Sequence, residues 1–205
     1  MYRKKMLPDY REKLRIYHAL LVQWQKTINL VSPKTIPDAW RRHFEDSLQI
    51  DKLIHQNIKT LYDFGSGAGF PALVLAIIRP TLDVTLIESD ARKCAFLQTV
   101  SRETSCQNIS ILNDRLEIIL PTLSCPDYIT ARAFASLKEI LSMAILLPDH
   151  CNHLHLVLPK GRHYKDEIDE AEANFIFNCE IVPSCVETDS VILNVCNIKQ
   201  RIRNS

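Results

Sequence analysis

The sequence predicts an α/β fold: a mostly parallel, twisted sheet with helices on both faces, preceded by a helical extension. Three observations carry the prediction. From residue 60 onward, short apolar runs of strand length alternate with longer helix-compatible segments, the pattern of successive βαβ units. Three of the four glycines, Gly65, Gly67 and Gly69, fall between one such run and one such helix. Before residue 60 the apolar residues recur instead at three- and four-residue steps, the period of a helix.

The elements follow in order. Pro8-Asp9 is suited to start a helix, and Leu14, Tyr17, Leu21, Trp24 and Ile28 then form one apolar stripe. Asn29 to Pro33 ends it in a turn, and Ile36 to Ile50 reads as short helical pieces. Thr60 to Phe64 is the first strand. The helix after the glycines runs from about Phe70 until Arg79-Pro80 stops it. Asp83 to Glu88 is the second strand, Ala91 to Thr104 a helix, and Asn108 to Asn113 the third strand. Pro126 to Thr130 is the fourth strand, followed by a helix over Ser136 to Leu147. His153 to Leu158 is the fifth strand, Tyr164 to Phe177 a charged amphipathic helix. Cys179 to Val182 and Val191 to Val195 then pair as a hairpin. The division expected is residues 1–57 as a helical cap within one compact unit, and residues 58–205 as the α/β domain.

Composition narrows the class. No apolar run approaches the ~20 residues that span a bilayer, and the basic Met1 to Met6 segment is not followed by a signal core. A cytoplasmic protein is expected. Seven cysteines, an odd number with no C-x-x-C, are expected to be reduced and mostly buried. Residues 1–60 carry a charge of +6 and residues 61–205 one of −5, giving the net +1. A basic N-terminal third suits a grip on nucleic acid, and equally a solvated helix surface.

The glycine turn is where chemistry enters. Strand, glycine turn and helix together point backbone N–H groups at an anionic or nucleotide ligand. A phosphate-binding P-loop would end in Gly-Lys-Ser/Thr, whereas Gly69 is followed by Phe70-Pro71. A dinucleotide site would want a small residue at position 70. The third user is S-adenosylmethionine, whose Rossmann-like methyltransferases carry G-x-G-x-G after an acidic strand end, here Asp63. Glu88 ends the second strand, 19 residues after Gly69, where an acid accepts ribose hydroxyls in both NAD enzymes and methyltransferases.

Further candidates lie at the carboxyl ends of later strands. Leu116 and Glu117 follow the third strand in a loop suited to reading an adenine edge. Arg132, after the fourth strand, should point into the crevice, where its fork suits a carboxylate or phosphate, or an ion pair with a structural acid. Lys160 and Arg162, around Gly161, are placed to meet a phosphate backbone or to be ordinary loop charges. Asp149 to His155 holds three histidines, but without further ligands at suitable spacing no metal site is expected. No Asn/Asp-Pro-Pro-Tyr/Phe loop and no Pro-Cys pair is present, so amino-group and pyrimidine C5 methylation of bases lack their usual residues. An acceptor with a free lone pair, such as guanine N7, requires no base, and alignment in a water-poor site then carries the catalysis.

Several segments together resemble the GidB family of small-subunit ribosomal RNA guanine-N7 methyltransferases. They are Trp24 to Leu30, Arg42-His43-Phe44-Glu45-Asp46-Ser47, Asp63 to Pro71, Glu88 to Leu97, Arg115-Leu116-Glu117, and Arg132-Ala133-Phe134-Ala135-Ser136-Leu137. The chain departs from the family pattern at Ala72, Glu88 and Pro159, where glycine, aspartate and leucine are commoner. The resemblance implies a Rossmann-like class I methyltransferase with an N-terminal helical cap, using S-adenosyl-L-methionine. It implies as substrate a guanine in 16S rRNA, presented as rRNA or as the small subunit, and methylated at N7; a monomer that takes no metal is expected. It implies donor contacts at Gly65, Phe70, Leu116, Glu117 and Arg132, with Asp63, Gly67, Gly69 and Glu88 completing the pocket and Arg132 shaping methyl transfer. Arg41, Arg42, Lys160 and Arg162 would hold the RNA backbone. An NAD-dependent oxidoreductase, disfavoured by Phe70, and a non-catalytic RNA-binding or assembly factor with a relic donor pocket are the alternatives.

Overall fold

The computed structural model describes residues 10–148, 151 and 153–201. The Met1 to Met6 segment, the expected helix start at Pro8-Asp9, and Asp149, His150 and Asn152 lie outside them. The chain begins with α1 (Tyr10–Trp24), then turns of 3₁₀ (Pro33–Asp38) and π (Trp40–Glu45) helix leading into α2 (Asp46–Ile50). The α/β part runs β1 (Thr60–Phe64), α3 (Ala72–Ile78), β2 (Asp83–Ile87), α4 (Ala91–Glu103), β3 (Ile109–Leu112) and α5 (Leu116–Ile119). It continues through β4 (Tyr128–Thr130), α6 (Leu137–Ala144), β5 (His155–Lys160), α7 (Tyr164–Glu172), β6 (Phe175–Pro183) and β7 (Val191–Gln200). Among the described residues, no helix is long and apolar enough to cross a membrane.

The sheet order is β3-β2-β1-β4-β5-β7-β6. β1 to β5 pair in parallel, and β7 joins β5 and β6 antiparallel. Strand order reverses direction between β1 and β4, the switch point where open α/β sheets open a crevice beyond the carboxyl ends of their strands. Successive residues feed opposite faces, as the two-residue strand period requires. Leu61, Tyr128 and Val157 pack with α1, α3 and α4, whereas Tyr62, Ile129, Leu156 and Leu158 pack with α6 and the hairpin.

The expected apolar stripe of α1 is seen directly: Leu14, Tyr17 and Leu21 are buried in the same cluster as the all-apolar α3. Arg79, at the C-cap of α3, locks the helical cap to the sheet. Its guanidinium pairs with Asp51 and donates to the carbonyls of Asp51 (2.6 Å), Ile54 (3.0 Å) and His55 (3.0 Å). An Arg79→Ala variant leaves these acceptors without their donor. It is expected to lose about 2 kcal/mol of stability in urea unfolding, with Arg79→Lys recovering only part.

Three expectations are corrected. The helix over Tyr164 to Phe177 stops at Glu172, and Phe175 already belongs to β6. The hairpin is longer than expected because β6 and β7 pair from Phe175↔Gln200 to Pro183↔Val191. The cysteines are not all reduced thiols: Cys125 and Cys151 form a disulfide with Cα atoms 5.5 Å apart. These residues precede β4 and β5, and parallel neighbours bring their starting ends together. Of the other five, only Cys94 and Cys106 are fully buried, and Cys185 is exposed.

Candidate functional site

The glycine turn lies at the end of β1, beside the switch point. Gly65, Gly67 and Gly69 all have positive φ, and Phe70-Pro71 is a cis peptide. Gly69 shows why the sequence needs glycine. A Cβ there would lie 2.7 Å from Tyr17 Oη and 3.0 Å from both Leu73 Cβ and Leu97 Cδ2. Tyr17 comes from the helical cap, and its hydroxyl donates to the Ala68 carbonyl. The cap therefore fixes the turn from beneath.

Two clefts open on either side of this turn. One, of about 730 Å³, is lined by Gly65, Glu88, Leu116, Glu117, Ala133 and Phe134, among others. The Glu88 carboxylate forms part of its floor. Oε2 accepts from the Gly67 N–H and Oε1 from the Asp90 N–H, both at 2.8 Å, so its oxygens are held in place with lone pairs to spare. Leu116 and Glu117 are not in an open loop as expected but form the first turn of the short helix α5. The second cleft, of about 520 Å³, is lined by Phe70, Arg132, His43, Asp46, Lys160 and Glu187, among others.

Arg132 is the centre of the second cleft. Its guanidinium carbon lies 4.9 Å from the centroid of Phe70, a cation–π contact. It donates to His43 Nδ1 at 3.0 Å and to the Arg42 carbonyl at 3.3 Å, and pairs with Asp46 Oδ2 at 3.4 Å. Phe70 in turn stacks on Tyr17 and on His43, with ring centroids 5.2 Å apart in each case. Burial raises the Asp46 carboxyl above its ordinary range, and the Arg132 charge opposes that rise. Of the alternatives weighed for Arg132, the ion pair with a structural acid is present, and the side chain also lines the cleft.

The tautomer of His43 follows from its neighbours. Arg132 has only donors, so Nδ1 accepts and the ring proton sits on Nε2. Nε2 then donates to Thr35 Oγ1 at 2.8 Å, and Thr35 passes its own proton to the Ser32 carbonyl at 2.7 Å. Burial, then the charges of Arg132 and Arg42, push the imidazole pKa down to about 3. His43 is neutral at any physiological pH and acts as a fixed acceptor orienting Arg132. Its motif was visible in the sequence, but this role was not, because the partners lie 89 and 8 residues away.

The remaining predicted residues divide. Asp63, Gly67 and Gly69 line neither cleft. Asp63 is buried under the turn. Oδ1 accepts from Thr130 Oγ1 at 2.6 Å, and Oδ2 has no partner. Burial raises its pKa to about 7, against the opposing hydrogen bonds of Thr130 and Ser66. The native state therefore holds this proton more tightly than the unfolded chain, and the stability it confers is lost as pH rises from about 4 through 7. Asp63→Asn is expected to remove that slope, raising relative stability at pH 8 over pH 5, as urea unfolding at the two pH values will read.

Of the residues expected to hold RNA, Arg41 and Arg42 are exposed, Arg41 donating to the Val186 carbonyl at 2.6 Å and Arg42 pairing with Glu187 at 2.7 Å. Arg162 is exposed. Lys160 departs from the expectation. Its side chain is 8% exposed, and its ammonium is bound to Glu167 (2.6 Å) and the Ala135 carbonyl (2.7 Å). A buried, paired ammonium braces α7 and the loop after β4 rather than presenting a charge to phosphate. Among the described residues, no three His, Cys, Asp or Glu side chains converge as a metal site. Sequence reasoning gave no role to Glu187 or to the rest of the β6–β7 turn. This turn closes the second cleft because Gln49 bonds Ser184 Oγ (3.1 Å) and the Cys185 N–H (2.9 Å).

Known proteins resemble this chain in sequence and in fold. The sequence model of the family GidB, rRNA small subunit methyltransferase G, matches residues 10–195. Ribosomal RNA small subunit methyltransferase G of Gluconobacter oxydans is 42% identical over 193 residues, covering 94% of this chain and 96% of that protein. The protein of the same name from Paramagnetospirillum magneticum is 40% identical, over 92% of this chain and 89% of its own length. Among solved structures, a mutant of MtNAS in complex with S-adenosylmethionine superposes with a TM-score of 0.61 at 11% identity, over 92% of this chain and 76% of that one. The ribosomal protein L11 methylase of Lactobacillus delbrueckii subsp. bulgaricus gives 0.58 at 11% identity, over 76% and 78%. These structures share the fold.

Proposed function

The chain belongs to the GidB family, and from that membership we propose that it transfers a methyl group from S-adenosylmethionine to N7 of a guanine in 16S ribosomal RNA. It is an S-adenosylmethionine-dependent methyltransferase of small-subunit rRNA, and N7 is the finer part of the reading. The observation that supports it is the presence of two clefts beside one glycine turn, one lined by Gly65, Glu88 and Leu116 and the other walled by Arg132 and Phe70.

The residues present fit the donor. Gly67 exposes bare backbone: a Cβ there would meet nothing closer than the Gly65 carbonyl, at 3.8 Å. Glu88 would take the ribose hydroxyls, Leu116 and Glu117 the adenine, and Gly65, Phe70 and Arg132 the amino-acid end, over a turn shaped by Asp63, Gly67 and Gly69. When bound, S-adenosylmethionine supplies an electrophilic methyl group on its sulfonium.

The chain's own groups then have one task, alignment. Both nitrogens of His43 are engaged and its pKa is about 3, so it offers no general base. Guanine N7 needs none, since its lone pair is free, and the target base must be unstacked to reach a walled cleft. Arg132, held by Asp46 and His43 against Phe70, keeps one geometry through turnover. Arg41, Arg42 and Arg162 would meet the RNA backbone at the rim. The reading carries with it a monomeric, cytoplasmic enzyme that takes no metal. Its two parts would be a cap over residues 1–57, which shares a hydrophobic core with the sheet, and a methyltransferase domain over 58–205.

The test is transfer of radiolabelled methyl to unmethylated small-subunit rRNA and to whole small subunits, followed by nucleoside analysis. Label in 7-methylguanosine is the expected result; label in another nucleoside overturns the N7 assignment.

A further inference from the structure

The side chain of Phe134 is oddly placed for an apolar group. It is 37% exposed and belongs to neither hydrophobic cluster. Its ring lies directly on the turn: a Cβ built on Gly65 would overlap Phe134 Cδ2 and fall 2.7 Å from Cε2. The ring therefore fills the open backbone surface that Gly65 offers.

The local chain explains how it is held there. Ala133 has φ of +51°, a left-handed conformation that L-residues with a Cβ rarely adopt, and it turns the chain back toward β1. On one side, Arg132 is anchored by Asp46, His43 and Phe70. On the other, Ser136 begins α6 in a reciprocal capping box with Glu139, and the Ala135 carbonyl is bound by Lys160. Ala133 and Phe134 form the short span between two fixed ends.

Their position matters because Ala133 lines both clefts, while Gly65 and Phe134 line only the one that holds Glu88. A ligand reaching from Glu88 and Leu116 on one side to Arg132 on the other must cross Gly65, and it cannot share that surface with an aromatic ring. We propose that Phe134 is a gate on donor binding: its ring, seated on Gly65, swings away to join the two clefts into one donor site. The proposal rests on the reading of these clefts as the S-adenosylmethionine site. A closed gate lowers the fraction of protein competent to bind and slows association by the same logic. Nothing in the gate requires RNA.

The experiment is surface plasmon resonance with S-adenosylhomocysteine, which has the donor's shape without its methyl group, on wild type, Phe134→Leu and Phe134→Ala. The gate predicts association rate constants rising in that order, by about fivefold in total for a ring closed most of the time, with thermal unfolding midpoints unchanged. Wild-type binding with equal or slower association by both variants overturns the gate and leaves the donor site standing. Failure of the wild type to bind at all overturns both. If Phe134→Ala does not fold, Phe134→Leu decides alone: faster than wild type supports the gate, and an equal rate overturns it.

Discussion

An Arg132→Ala variant is expected to lose methyl transfer by at least about a hundredfold, the scale of removing a preorganised charged donor from an active site. Two effects contribute. The cleft loses the group that faces it while contacting Phe70 and His43 together. Asp46, with its side chain 13% exposed, loses its cation and keeps a charge that is costly to bury. The second effect lowers stability by about 2 kcal/mol, so activity must be compared well below the unfolding midpoint. Arg132→Lys separates the two. It retains a charge for Asp46 but not the planar fork that reaches His43 and Asp46 at once, and is expected to restore most of the stability and little of the rate. A full rate in Arg132→Ala would remove Arg132 from the mechanism.

The second large effect is on the turn. Gly69→Ala places a Cβ at φ +88° against Tyr17 Oη, Leu73 and Leu97. None of these yields easily: Tyr17 is fully buried and bonded to Ala68, and Leu73 and Leu97 are core residues of α3 and α4. Backbone strain and overpacking together should cost about 4 kcal/mol. Urea unfolding measures this, and S-adenosylhomocysteine titration should show affinity lost with the turn. Gly161 is the control. A Cβ there meets nothing within 4 Å, so Gly161→Ala should be nearly neutral in both measurements.

The contrast between these glycines marks what the sequence could tell. Gly65, Gly67 and Gly69 were legible because their signal is local: three flexible residues between a strand and a helix. The strands β1 to β5 and the helices α3, α4, α6 and α7 were legible for the same reason, each carrying its own period, whereas the short α5 was read as a loop. The end of α7 was not. Ile168, Ala171 and Phe175 suit a helical face, but Phe175 and Phe177 also alternate as in a strand, and pairing with β7 decided between the two periods. The Cys125–Cys151 disulfide and the seating of Phe134 on Gly65 each join residues whose proximity only the completed sheet creates, and the Lys160–Glu167 pair depends on how the chain turns from β5 into α7. Lys160 shows the consequence for the candidate site: its charge was legible, and the acid that cancels it was not.

The β6–β7 turn, which walls the Arg132 cleft through Ser184, Glu187 and Ser190, follows every other part of that cleft along the chain except Val191. During synthesis the glycine turn, Glu88, Leu116 and Arg132 are all made before it. A nascent chain can thus complete the Glu88 cleft while the other cleft still lacks a wall. Docking this turn on Arg41, Arg42 and Gln49, more than 130 residues upstream, closes a very long loop, and such contacts form late in folding. The order of translation thereby separates the making of the residues that line the two clefts from the meeting of the distant segments that wall the second of them.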